Sequence, residues 1–127
     1  MLWTPLLFFI LLALVQIGIY LFAEHVAATA AQAGDRSGRQ NEPLYANDPQ
    51  TWKGMAKAAA NNWVDDLIGQ GVAKDINADP ELSPLVNQCT PQIVTVTVTF
   101  TTSSLFGRLS VHGQSEGPVE NFYPNNC

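Results

Sequence analysis

The sequence predicts an α+β protein: a long N-terminal helix carrying a small head with one amphipathic helix and a β-hairpin or small antiparallel sheet. Three observations carry that expectation. Leu6 to Ala23 is an uncharged run of 18 residues interrupted only by Gln16, Gly18 and Tyr20. Trp52 to Leu67 repeats apolar residues at helical spacing. Ile93 to Thr102 (IVTVTVTFTT) alternates apolar residues with threonine at a period of two. The implied organisation is a transmembrane and extended helix over 1–34, a linker over 35–50 and a head over 51–127.

The first helix reads as a membrane span. A bilayer core of about 30 Å needs roughly 20 apolar residues at 1.5 Å each, and Leu2 to Ala23 supplies that length. A run that is apolar all round does not suit the surface of a small soluble domain. Glu24 and His25 mark the water boundary. Val26 to Ala33 then holds five alanines and no breaker, so the helix should run on to Gly34 as its stop. Gln16, Tyr20, Ala23, Ala27, Ala30 and Gly34 recur at steps of four and three and form a helix-packing face. Small residues let membrane helices approach, and an amide in lipid seeks a partner across the contact.

A cleaved signal peptide is the rival reading, because Ala31-Gln32-Ala33 before Gly34-Asp35 has the small-residue form of a cleavage site. The apolar run exceeds the usual h-region, and that site lies well past its end. Orientation is also divided. The positive-inside count finds Arg36 and Arg39 after the span and no Lys or Arg before it, which points the head to the cytoplasm. The cysteines point outward. Cys89 and Cys127 are an even pair, and outside the cytoplasm they suggest one disulfide. It would close a loop of about 39 residues and contribute roughly 3–4 kcal/mol. Two free thiols in a reducing compartment are the alternative.

Asp35 to Tyr45 is polar, with Gly38 and Pro43, and reads as linker. Asp48-Pro49 opens the second helix, with Asp as N-cap and Pro at the first helical position. Trp52, Met55, Ala56, Ala59, Trp63 and Leu67 form its inward stripe, and it should end near Gly69 or Gly71. Val72 to Pro91 contains three prolines and reads as a connection with short helical turns. In the strand that follows, Val94, Val96, Val98 and Phe100 face the core. A second strand near Arg108 to Gln114 pairs with it, and the Trp52/Trp63 helix face is the natural cover.

The net charge of −5, with Lys and Arg scattered singly, excludes a nucleic-acid surface. The available acids and bases are Glu24, His25, Asp65, Asp66, His112, Glu116 and Glu120, with Ser110 near His112. No nucleophile motif, phosphate loop or metal-ligand spacing connects them, so neither an enzyme nor a cofactor is expected.

The architecture resembles that of pilins, and three stretches sharpen the likeness. TPLLFFILLALVQIGIYLFAEHVAATAAQAG resembles the start of actinobacterial TadE-like proteins of the tight-adherence (Tad) pilus system. IVTVTVTF resembles their Val/Thr strand, and Gly117, Pro118, Val119 and Glu120 resemble their C-terminal Gly-Pro-Val-Glu motif. The family's glycine and glutamate ahead of the apolar run are not present here. The resemblance implies a non-enzymatic, membrane-anchored component of pilus assembly or a related secretion system. Its partners would be the bilayer and other pilin-like subunits or assembly machinery, met as a homo- or hetero-oligomer through the N-terminal helix. Its head would lie outside the cytoplasm. A single-pass anchor presenting an extracytoplasmic binding domain unrelated to pili is the other reading.

Overall fold

The computed structural model describes residues 1–45, 47–69, 72–84, 92–104 and 107–119. Two helices, α1 (Trp3–Asn41) and α2 (Pro49–Ile68), precede three strands: β1 (Ala73–Leu82), β2 (Ile93–Ser104) and β3 (Gly107–Pro118). The strands form one antiparallel sheet in the order β1-β2-β3. Both helices lie on one face of it. α1 covers β3 and β2, and α2 covers β1. The expected α+β class is therefore what the chain adopts.

β2 behaves as its alternation predicts. Val94, Val96, Val98 and Phe100 are all buried, while the intervening threonines line the outer face. Burying such a side chain contributes about 1.5–3 kcal/mol relative to leaving it exposed, so the central strand is the core's main investment in apolar area. β3 is longer than expected, because its pairing with β2 continues from Ser104 opposite Gly107 to Ile93 opposite Pro118.

The connection expected over residues 72–91 is corrected: its first half is β1. The missed strand has a physical reason. The register shifts between Lys74 and Asn77, and Asp75 there takes φ of 55°. This bulge moves the buried positions from Ala73 to Ala78 and Pro80, so no single alternation runs through the strand. Pro80 is tolerated because β1 is an edge strand whose other side needs no ladder hydrogen bond.

The helix stop expected at Gly34 is corrected as well. α1 runs on through the segment read as linker and ends at Asn41, where the Glu42 N–H bonds back to the Gly38 carbonyl at 2.8 Å. Gly34 is not a cap but a contact point. A Cβ added to it would sit 3.0 Å from the Ala56 carbonyl oxygen and 3.0 Å from Val96 Cγ1. Gly38 sits one turn on, against Val94 and Trp52. Tertiary packing overrides the poor helix propensity of both glycines.

α2 returns antiparallel to α1 and begins at Pro49 behind Asp48, as expected, but the Asp48 side chain caps no backbone N–H and accepts instead from the Thr51 hydroxyl at 2.6 Å. Its buried stripe is Trp52, Ala56, Ala60 and Val64, at a constant step of four. Met55, Trp63 and Leu67, assigned inward from the sequence, are exposed. The alanines decide this: with Ala56 and Ala60 opposite Gly34 and Gly38, the two helices approach closely, and large side chains in that seam would hold them apart.

Candidate functional site: one helix with two environments

α1 divides near Ala23. From Met1 to Phe22 no residue is buried, and Leu7, Phe9, Leu14 and Ile17 each stand more than half exposed. From Ala23 onward one face is buried through Val26, Ala27, Ala30, Ala31, Gly34, Asp35 and Gly38. The same helix is thus bare and apolar at one end and a core element at the other. α1 is long and apolar enough to cross a membrane.

The six-residue face read from the sequence splits at this boundary. Ala23, Ala27, Ala30 and Gly34 are buried against the chain's own sheet and α2. The closest approach is at Gly113 of β3, where an added Cβ would come within 2.6 Å of the Ala27 carbonyl oxygen and closer still to neighbouring backbone. Gln16 and Tyr20 remain on the uncovered segment. The Gln16 amide nitrogen is shielded from solvent yet has no hydrogen-bond partner.

Cleavage after Ala33, the rival reading, would strip Ala23, Val26, Ala27, Ala30 and Ala31 from the core they help form.

A polar cluster that sequence reasoning missed sits where α1 crosses β3. Asp35 is buried, 3.4 Å from Arg39 Nε, and its Oδ2 accepts from the Ser115 hydroxyl at 3.3 Å. Burial pushes the Asp35 carboxyl above its ordinary value, while Arg39 and the Ser115 bond pull the other way. Glu42 is also buried, with Oε2 unpartnered, and desolvation raises it too. The signal was available: Asp35 and Arg39 are an i,i+4 pair of opposite charge on one helix face. Reading 35–45 as linker hid it.

The C-terminal motif adjoins this cluster. Gly117 lies under Arg39, whose Nε would be 2.9 Å from a Cβ placed there. Val119 is buried and its N–H bonds to the Gln92 carbonyl at 2.8 Å. Glu120 lies outside the described residues, as do Cys89 and Cys127. Of the acids and bases considered for catalysis, Glu24, His25, Asp66, His112 and Glu116 are exposed and Asp65 is half-buried. Among the described residues no three His, Cys, Asp or Glu side chains could hold a metal ion.

An α+β head built around the far half of an apolar helix defines the class. Within it, the family model described as TadE-like protein matches residues 1–36, covering the bare segment and the first turns of the buried one. The resemblance read from the N-terminal stretch is thus found where it was strongest. No curated protein and no solved structure matches the chain.

Proposed function

We propose that the protein is a non-enzymatic, membrane-anchored component of pilus assembly, in the manner of TadE-like proteins. Leu6 to Ala23 spans the bilayer once and the head stands outside the cytoplasm. The observation that carries this reading is the continuity of α1. A helix whose apolar half is bare and whose other half is core holds its head at a fixed height and orientation over the membrane, as a subunit that must dock with others requires.

Contact with other subunits in the lipid falls to Gln16 and Tyr20, since the alanines beyond them are already occupied by the head. An amide without a partner in hydrocarbon gains about 0.6 kcal/mol on average by bonding across a helix contact. That occupation is also what favours the second reading, an anchor presenting a binding domain unrelated to pili, because little of the small-residue face is left for packing.

The test is photo-cross-linking from position 20 in cells that build the pilus, with alkaline phosphatase fused after Cys127 to report orientation. Cross-links to pilus components, lost in Gln16→Leu, together with an active phosphatase support assembly. Phosphatase activity without such cross-links favours the simple anchor. An inactive phosphatase overturns the outward head.

A further inference from the structure

α1 and α2 meet through small residues, and a groove runs along their seam, lined by both helices and by no residue of the sheet. Half-buried Ala33 and Ala59 form its floor. One wall is a row on α1, Gln32, Arg36 and Gln40, and the other is Trp63, nearly half exposed. The groove holds about 400 Å³, within the range of ordinary ligand sites. Its remaining polar side chains are already bonded within α1. The Thr29 hydroxyl donates to the His25 carbonyl, and Ser37 Oγ accepts from the Asn41 amide. The three wall residues are exposed and have no side-chain partner among the described residues.

Contacts across the seam set the levels along it. Gly34 meets Ala60, and the helices are antiparallel, so Trp63 lies about 7 Å from Arg36 along the axis, towards the span. Among the lining residues Arg36 alone is charged. Asp66, one turn past Trp63, stands about 12 Å from it along the axis, beyond the roughly 8 Å over which salt leaves charges unscreened. Asp35 is paired with Arg39, and Lys53 and Lys57 line a separate groove beside β1. Arg36 also stands about 20 Å from Ala23, where the span ends, well above a headgroup layer of roughly 5–8 Å. Lipid does not reach it. That height rests on the membrane-anchor reading, whereas the chemistry of the groove does not.

We infer that this groove binds an extended, acidic segment of another protein. A step of four residues along α1 is about 6 Å, and two residues of extended chain span about 6.7 Å. Gln32, Arg36 and Gln40 thus meet alternate residues of a strand laid along them. A glutamine amide offers a donor and an acceptor, as does the peptide unit it would face. Arg36 takes a carboxylate in its planar fork. An apolar side chain two residues away, on the same side of the strand, then covers Trp63, whose ring gains by burial. A second copy of this chain does not supply the strand. Among the described residues its acids outside helices and strands are Glu42, which is buried, and Asp48, which is engaged by Thr51.

Fluorine NMR of the full chain in detergent micelles, labelled with fluorotryptophan, tests it. Trp63 reports the groove, buried Trp52 reports folding and Trp3 reports the micelle. The probe is a capped peptide with a central glutamate, a valine two residues to either side and threonine between, so that either direction of binding presents the same pattern. Versions with glutamine or lysine at the centre serve as controls. The expected result is a saturable shift of the Trp63 signal alone, with the glutamine peptide about three- to tenfold weaker, as for a half-exposed ion pair. Arg36→Gln should abolish that difference, and Arg36→Glu should make the lysine peptide the tighter one. Gln40→Ala should weaken the glutamate and glutamine peptides by the same factor, because an amide bonded to backbone does not read the side chain. An unmoved Trp63 signal overturns the inference, and so does equal binding of the glutamate and lysine peptides. A shift with oligogalacturonate, an acidic sugar, and none with the peptides makes the groove a saccharide site and overturns the strand. None of these outcomes bears on the membrane anchor, which the cross-links and the phosphatase fusion read separately.

Discussion

Glu42 closes the last turn of α1 with a carboxylate that has left water and found no partner for Oε2. Burial raises its pKa, so the folded protein holds that proton to higher pH than the unfolded chain does. Folding is then favoured by acid. The group's contribution falls as the pH climbs from the ordinary 4.5 towards the raised folded value and is flat above it. Glu42→Gln should remove that part of the pH dependence and leave the head at least as stable at neutral pH. Denaturant midpoints measured at intervals between mildly acidic and neutral pH read this directly, and an unchanged slope in the variant contradicts the assignment. At Gly113 the argument is steric. An added methyl group meets α1 backbone rather than a movable side chain. Gly113→Ala should therefore cost towards the upper end of the roughly 1–3 kcal/mol typical of overpacking. A thermal midpoint within a degree or two of the parent would mean that β3 stands farther from α1.

At the scale of elements, the two tryptophans of α2 separate the sequence reading from the folded arrangement. Trp52→Ala should destabilise the head by about 3–5 kcal/mol, as for other buried aromatics. Trp63→Ala, on a face that is nearly half exposed, should cost well under about 1 kcal/mol. Equal losses by calorimetry would restore the wider stripe read from the sequence. That stripe failed for a legible reason: hydrophobic periodicity finds where large apolar residues recur, whereas α2 turns its alanines inward. β2 was readable because β-branched residues alternate without interruption. β1 was not, because its bulge shifts the alternation and its buried positions are Ala73, Ala78 and Pro80. The end of α1 was misplaced because Gly34 and Gly38 look like breakers in isolation. They become close-packing positions only once β2 and α2 are known to lie there. The bare half of α1 was plain from its uncharged run, and the likeness to TadE-like proteins lay in the particular residues of the N-terminal stretch, whereas the Asp35–Ser115 contact joins residues 80 apart and needed the fold.

For the whole molecule, the cysteines and the span make linked claims. If the head is outside the cytoplasm, protein taken from its native envelope should carry a Cys89–Cys127 disulfide, seen as a linked peptide pair before reduction. Replacing either cysteine should lower stability by about 2–5 kcal/mol, the range for small exported domains. Two free thiols in that material contradict the outward orientation. The central claim is that a single helix serves as both membrane span and core element, and the fate of α1 in the mature protein tests it most directly. Intact-mass and peptide analysis of the cell's membrane fraction, washed at alkaline pH to strip peripheral proteins, should find the chain in the pellet with residues 6–33 still covalently attached to the head. A folded head beginning at Gly34 in the soluble fraction would contradict it. Such a head would be folding without Ala23, Val26, Ala27, Ala30 and Ala31, and the apolar run would have been only a leader.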